Sequence, residues 1–158
     1  MANLFLSPCG TSILTNNIDS ELRGLLFKTA NHQENDLTPD EKSKIAQHIE
    51  ARKQMILDFQ SLAEIKKISA ELNGILSYYK DQIPQGGQPD IHYILVSDTY
   101  QGRAVGDIIV QWLQLKGLQA DIISISDLAT GNKDSFRLAM SELVIKCEEI
   151  INFIDSTL

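Results

Sequence analysis

The sequence predicts an α/β fold of three layers, with a mostly parallel sheet and helices on both of its faces. A nearly unbroken apolar run of strand-forming residues, Ile91 to Val96, is typical of a strand that is buried on both faces. A helical stripe of apolar residues follows over 104–113, and a second strand-like run, Gln119 to Ile125, comes after it. Strand, helix and strand in this order indicate a right-handed βαβ unit, in which the two strands are parallel.

A helical insertion, residues 19–83, is expected between the first strand and the strand at Ile91. The first strand is predicted at Asn3 to Ser7, which is short and apolar. Asp19 or Ser20 is expected to cap the first long helix of the insertion, because short polar side chains accept hydrogen bonds from the free amides of a helix start. We interpret residues 1–158 as a single domain.

A clear helix start lies inside the insertion. Thr38 is the expected N-cap, Pro39 the first helical residue, and Glu41 the residue that closes a capping box. The apolar pattern then continues either as one long helix or as two helices with a break near Gln60 and Ser61. The charged flank of this pattern is interpreted as a solvated face: Lys42, Lys44, Glu50, Arg52, Lys53, Glu64, Lys66 and Lys67.

The last predicted helix runs from about Asp134 to Ile154, after a loop at 127–134. Apolar residues at helical spacing are expected to face inward from it: Phe136, Met140, Leu143, Val144, Cys147, Ile150, Ile151 and Ile154. Three short strands make a thin sheet. Either a partner subunit completes this sheet, or a C-terminal portion is missing, or the chain is a shortened version of its fold.

Composition and charge exclude several classes of function. The 158 residues are 43% hydrophobic and 22% charged, which is typical of one ordinary domain. A net charge of −7 disfavours long nucleic acid, whose affinity comes mostly from cationic contacts to phosphate. We expect no membrane partner and a cytoplasmic protein, since the sequence has neither a signal peptide nor an apolar run of about eighteen residues. Cys9 and Cys147 are interpreted as free thiols.

Polar residues follow the first two strands and should meet at the carboxyl edge of the sheet, where ligands of open α/β folds bind. The first loop offers Ser7, Gly10, Thr11 and Ser12, and the second offers Ser97, Asp98, Thr99, Gly102 and Arg103. Hydroxyls and free amides suit a phosphate oxygen, and Arg103 could add a charged fork. Asp98 could accept a hydrogen bond from a ribose hydroxyl or a base amine. The alternative is that all of these are ordinary turn residues.

No standard cofactor motif accompanies these loops. Neither loop has the pattern of a P-loop or of G-x-G-x-x-G, so an ATPase or a dinucleotide dehydrogenase is poorly supported and no cofactor is expected. The three histidines lack the spacing of metal ligands, so no metal is expected either. Ser12 could be a nucleophile, but no histidine with a matching acid is apparent to activate it.

Four other residues receive structural interpretations. His92, inside the second strand, is expected to be a core or edge residue with satisfied hydrogen bonds. Trp112 is expected to lie in the core or in a subunit contact. Glu71 and Asn73 are interpreted as part of a solvated helix face.

Three stretches of the sequence share residues with one known family. They are LFLSPCGTSILTN from Leu4, ISAELNGIL from Ile68, and YILVSDTYQGRAVGDIIVQWLQLKG from Tyr93. In this order they resemble the CARF family, the CRISPR-associated Rossmann-fold domains of type III CRISPR systems. The opening strand-GTS pattern and the later strand-SDT-x-x-G-R pattern are fairly specific as a pair. The resemblance implies a single Rossmann-like domain with a helical insertion after strand 1.

The resemblance also implies a ligand and a partner. Members of the family form homodimers whose two Rossmann units build one pocket for a cyclic oligoadenylate messenger, most often the ring of four adenosines. Some members are sensors that switch an effector domain or subunit. Others, the ring nucleases, cleave the messenger without metal, by in-line attack of a ribose 2′-hydroxyl on the adjacent phosphate.

Site residues follow from the resemblance position by position. The first loop, Ser7 to Ser12 with Asn16, resembles the family's phosphate-contacting loop, and Ser12 matches the serine that some ring nucleases use to orient the attacking group. The second binding loop is matched by Asp98, Thr99, Gly102 and Arg103. The family commonly continues into a Gly-Gly-x-Lys segment, whose lysine can stabilise the transition state. No such segment follows here, so binding is expected rather than catalysis.

These observations lead to one hypothesis and two alternatives. The leading hypothesis is a sensor domain that binds cyclic tetra-adenylate across a two-fold dimer interface, where each subunit can present the same loop to a symmetric ring. The first alternative is a metal-independent ring nuclease with Ser12 as its catalytic residue. The second alternative is a generic nucleotide-binding or scaffold domain.

Overall fold

The computed structural model describes residues 3–83, 90–126 and 133–157, and the loop predicted at 127–134 lies largely outside them. The strands are β1 (Leu4–Pro8), β2 (Ile91–Ser97) and β3 (Gln119–Ile125). The helices are α1 (Ser12–Thr15), α2 (Ser20–Lys28), α3 (Pro39–Asp58), α4 (Leu62–Ile68), α5 (Ala70–Tyr78), α6 (Tyr100–Leu115) and α7 (Lys133–Thr157). A short 3₁₀ helix, Glu34–Asp36, precedes α3.

The three strands form one parallel sheet in the order β1-β2-β3. In the register, Pro8 pairs with Leu95 and Ser97 pairs with Ile125. All three strands therefore end at the same edge. This is the α/β fold that the apolar runs predicted and the Rossmann-like fold that the resemblance implied. The first helix cap of the insertion is Asp19, whose side chain accepts from the amide of Leu22.

Helices cover both faces of the sheet. On one face, Ile94 and Val96 of β2 belong to a large core that helices α1 to α6 share. Trp112 of α6, only 2% exposed, lies in this core as expected. On the other face, Leu95 and Ile123 belong to a smaller core with Ala139 of α7. Most of the buried apolar surface therefore lies on the α6 side.

The insertion contains the predicted helix start and more breaks than expected. Thr38 and Glu41 form the capping box at the start of α3, with Pro39 as the first helical residue. The alternatives for this region were one long helix or two helices with a break near Gln60 and Ser61. The second is correct, because α3 ends at Asp58 and α4 begins at Leu62. A second break at Ser69, which the apolar pattern did not predict, separates α4 from α5.

Three expectations about the exposure of residues in α7 and α3 were wrong. Val144 and Ile151 of α7, expected to face inward, are 56% and 49% exposed. The three-stranded sheet is too narrow to cover the whole apolar stripe of α7, so only part of the stripe packs against β3. Arg52 of α3, assigned to a solvated face, is only 6% exposed.

A buried polar cluster joins the starts of β1 and β2. Asp90 accepts hydrogen bonds from the amide and side chain of Asn3, and from the Tyr79 hydroxyl at 3.0 Å. The same hydroxyl lies 2.8 Å from His92 Nε2, while Phe5 stacks on the imidazole with ring centroids 4.5 Å apart. Because the hydroxyl proton goes to the carboxylate, His92 donates through Nε2. His92 Nδ1 has no hydrogen-bond partner among the residues that the structure describes, so His92 lies in the core but its hydrogen bonds are only partly satisfied.

Stability should fall in mild acid because of His92. Burial lowers the pKa of this imidazole below the ordinary value of 6.5, although Asp90 opposes the shift. The unfolded chain therefore binds more protons than the folded chain as the pH falls through about 6.5, and the free energy of unfolding should decrease. Urea denaturation at pH 7.5 and 5.5 measures this loss. His92→Phe, which keeps an aromatic ring for stacking, should show a flatter pH dependence; an equally steep one would assign the effect to other groups.

Candidate functional site

The two predicted loops leave neighbouring strands at the carboxyl edge of the sheet. The amide of Cys9 donates to the carbonyl oxygen of Leu95 at 2.8 Å, so β1 stays beside β2 past its last strand residue. The chain then turns at Gly10 into α1. The second loop leaves β2 after Ser97 and enters α6. The parallel order thus brings the first and second loops to one rim.

Two hydroxyls of the first loop have no hydrogen-bond partner in the described part of the chain. The side chains of Ser7 and Thr11 make no hydrogen bond within the part of the chain that the structure describes. Thr11 contributes its carbonyl instead, which accepts from the amides of Leu14 and Thr15 at 2.9 and 3.0 Å. Both hydroxyls are therefore available to a ligand.

Two other donors of the first loop, the amide of Gly10 and the hydroxyl of Ser12, are occupied by Glu71. Glu71, in the first turn of α5, accepts a hydrogen bond at Oε1 from the amide of Gly10, 2.8 Å away. Its Oε2 accepts from the hydroxyls of Ser12 at 3.0 Å and Ser69 at 3.2 Å. The interpretation of Glu71 as part of a solvated face was wrong, because its half-buried carboxylate joins α5 to the first loop. Asn73 is exposed, as expected.

Ser12 is fixed by hydrogen bonds on two sides. Its hydroxyl donates to Glu71 and accepts from the amide of Ala70 at 3.1 Å. In the described residues no histidine forms a hydrogen bond with Ser12, so no Ser–His pair is formed. The hydroxyl keeps one lone pair that could accept a further hydrogen bond.

The end of α1 is held by side chains from α3. Arg52 Nη2 donates to the carbonyl oxygens of Asn16 at 2.7 Å and Asn17 at 3.2 Å. His48 Nε2 donates to the carbonyl of Leu14 at 2.7 Å. A cation and a ring N–H at the carboxyl end of a helix satisfy carbonyls that have no helical partner. Arg52 and His48 therefore fix α1, and with it the first loop, against α3.

Asn16, a predicted ligand residue, also makes contacts inside the protein. Its side-chain amide donates to the carbonyl oxygens of Ile68 at 3.1 Å and Lys67 at 3.4 Å. Those carbonyls lie at the break between α4 and α5, so Asn16 holds α1 next to the turn that carries Glu71.

The second loop is a tight N-cap. Thr99 caps α6, because its hydroxyl oxygen accepts from the amide of Gly102 at 3.1 Å, and it lies 2.9 Å from Ser97 Oγ. Thr99 is 4% exposed. A Cβ at Gly102 would lie 2.8 Å from the carbonyl oxygen of Ser97, so only glycine fits without a shift. These three residues shape the loop from inside.

Asp98 and Arg103 provide the unpaired charges of the second loop. Neither side chain forms a hydrogen bond or an ion pair within the described ranges. Asp98 is half-buried and Arg103 is exposed. The loop therefore offers one acceptor and one planar cationic donor to a ligand.

The surroundings of Cys9 disfavour its thiolate form. Burial raises its pKa far above the ordinary value of 9.0, and the negative charge of Glu71 raises it further. Thiolates, rather than thiols, carry out nucleophilic attack. Cys9 therefore contributes a protonated, half-buried side chain to the wall of the loop.

The described part of the rim offers polar groups of both kinds. Its first and second loops present neutral donors and acceptors, the cation of Arg103 and the free carboxylate of Asp98. Among the described residues, no cluster of three or more His, Cys, Asp or Glu side chains could hold a metal ion. In the same ranges, no helix has the length and apolar character needed to cross a bilayer.

A comparison with models of known protein families finds one family that matches the chain. The model of a family described as CRISPR-associated protein (Cas_APE2256) matches residues 66–157, which is more than half of the chain. The match contains Glu71, β2, the second loop and α6, whereas the first loop lies before it. None of the curated proteins matches the chain. The chain belongs to the CRISPR-associated protein family Cas_APE2256.

Proposed function

We propose that this CRISPR-associated protein is a sensor of cyclic oligoadenylate, with cyclic tetra-adenylate as its ligand, in type III antiviral signalling. The observation that supports this most is the convergence of two loops at one rim, each with unpaired polar side chains. Ser7 and Thr11 would donate to phosphate oxygens. Arg103 would bind phosphate as a cation, and Asp98 would accept from a ribose hydroxyl or an adenine amine.

A two-fold dimer would complete the pocket. One rim offers a single Arg103, whereas a ring of four nucleotides carries four phosphates. Two copies related by a two-fold axis would present two equivalent loop pairs to a ring that has the same symmetry. The proposed unit is therefore a homodimer in the cytoplasm, which signals to an effector domain or subunit.

Binding of the ring tests the proposal. Cyclic tetra-adenylate should raise the melting temperature of the purified chain. Rings of three and six adenosines are tested in the same assay for comparison. Light scattering should give the mass of a dimer. Arg103→Ala should weaken binding by roughly tenfold or more, because a charged hydrogen bond to phosphate is lost. Arg23→Ala, at an exposed position of α2, is the matched control. A chain that none of the three rings stabilises would refute the proposal.

A ring nuclease is the second candidate, and the fixed hydroxyl of Ser12 favours it. Its remaining lone pair could accept from a ribose 2′-hydroxyl and so orient that oxygen for attack on the adjacent phosphate. Incubation with cyclic tetra-adenylate in EDTA separates the candidates. Linear products that disappear in Ser12→Ala would support the enzyme, and recovery of the intact ring would support the sensor.

A further inference from the structure

We infer that Glu71 is an internal anion that competes with a ligand phosphate for the amide of Gly10 and the hydroxyl of Ser12, which lie in the same loop as Ser7 and Thr11, so that Glu71 lowers the affinity of the first loop for anionic ligands. The inference rests on the proposed function for the identity of the ligand. The carboxylate already takes two donors of the loop that a phosphate bound at Ser7 and Thr11 could also use.

The donors of the loop cannot serve both anions. The amide of Gly10 and the hydroxyl of Ser12 have one proton each, and each proton is directed at a carboxylate oxygen at 2.8 and 3.0 Å. A phosphate oxygen that takes either proton must break the bond to Glu71. Binding at these donors is therefore an exchange of one anion for another.

Charge prevents the two anions from sharing the loop. The partners of the Glu71 carboxylate are the neutral groups of Gly10, Ser12 and Ser69, and no Lys, Arg or His within the described ranges is among them. A phosphate beside this carboxylate would face a like charge at short range without a cation between them. Such pairs are strongly unfavourable where water is partly excluded.

The side chain of Glu71 can move away from Gly10 and Ser12 and still lie in a favourable environment. It lies in the first turn of α5, where a negative charge is favourable. Ser69, the N-cap of the same helix, donates to the carboxylate at 3.2 Å and does not belong to the first loop. A groove of about 290 Å³ lies beside the carboxylate, along β1 and α5, lined by Ser7, Glu71, Gly74 and Tyr78 among others. This groove has room for the displaced side chain of Glu71.

Glu71→Gln tests the inference, because it removes the charge and keeps an oxygen that can accept from the amide of Gly10. The matched control is Glu64→Gln, in the exposed first turn of α4, which changes the net charge equally. Two probes are used: cyclic tetra-adenylate and inorganic phosphate. For each probe, affinity is measured by calorimetry and by the shift in melting temperature.

We expect Glu71→Gln to bind both probes about tenfold more tightly than the unmodified chain, with Glu64→Gln unchanged. If the cyclic ligand binds the unmodified chain and Glu71→Gln equally, or binds Glu71→Gln more weakly, the inference is wrong and the proposed function stands. If neither chain binds the ring but phosphate stabilises Glu71→Gln more, the proposed function fails and the inference stands. If neither probe distinguishes the two chains, the inference fails.

A second variant, Glu71→Asp, keeps the inference testable if Glu71→Gln does not fold. Glu71→Asp keeps the charge but shortens the side chain by one methylene, so its carboxylate cannot reach both Gly10 and Ser12 from the same helix position. We expect it to bind cyclic tetra-adenylate and phosphate more tightly than the unmodified chain, though less tightly than Glu71→Gln. Equal or weaker binding of both probes by Glu71→Asp would also contradict the inference.

Discussion

Replacing Gly102 by alanine should lower the free energy of unfolding by roughly 2–4 kcal/mol, from overpacking and from a weakened helix cap. The added Cβ would lie 2.3 Å from Ser97 Oγ, 2.8 Å from the carbonyl oxygen of Ser97 and 3.0 Å from Thr99 Oγ1. The serine hydroxyl can rotate away, but the carbonyl oxygen belongs to the last residue of β2. The end of β2 and the start of α6 must therefore move apart.

This movement should also reduce ligand binding. Thr99 accepts from the amide of Gly102, and Asp98 and Arg103 lie on either side of that bond. A shift of the cap displaces both charged side chains, so the affinity for cyclic tetra-adenylate should fall together with stability. Urea denaturation followed by the fluorescence of Trp112, the single tryptophan, measures the first effect, and calorimetry measures the second.

Gly24→Ala is the matched control. Gly24 lies inside α2, and a Cβ there would meet nothing within 4 Å. Alanine should stabilise the helix by up to about 1 kcal/mol, because glycine has the lower helix propensity. If Gly102→Ala and Gly24→Ala were both neutral or stabilising, the close packing of α6 on the end of β2 would be contradicted.

The βαβ unit could be predicted from the sequence because its information is local. The apolar run from Ile91 and the stripe that contains Trp112 are set by the period of a strand and of a helix. The predicted and observed bounds of β3 coincide, and the capping box at Thr38 marks its helix start within four residues. The two loops after β1 and β2 also follow from this topology, because ligands of open α/β folds bind at the carboxyl edge of the sheet, and the family resemblance falls on the same loops.

The contacts that build the first loop could not be predicted in this way. Glu71 contacts Gly10 across 61 positions of the chain, and Arg52 contacts Asn16 across 36, distances over which helical periodicity carries no information. A charged residue on a helix is usually solvated, so both were assigned to solvated faces. One local signal was available: Ser69 followed by Glu71 is typical of a capped helix start.

Arg52→Met should lower the free energy of unfolding by roughly 2–4 kcal/mol, because hydrogen bonds from a charged donor are lost and their carbonyl acceptors stay partly buried. Methionine keeps the apolar stem of the side chain, so the loss reports mainly on the guanidinium. One of its acceptors is the carbonyl of Asn17, a non-glycine residue at a φ of 54°. Arg52 therefore stabilises a backbone conformation that few residues adopt.

Arg23→Met makes the same chemical change at an exposed position of α2 and should alter stability by no more than about 0.5 kcal/mol. Since Arg52 reaches Ser12 only through α1, Arg52→Met should also weaken binding of cyclic tetra-adenylate at temperatures where the variant is fully folded. Unchanged affinity in a destabilised variant would show that α1 keeps its place without the guanidinium. In that case His48 and Asn16, which hold the same helix through Leu14 and Ile68, would be sufficient to position the first loop.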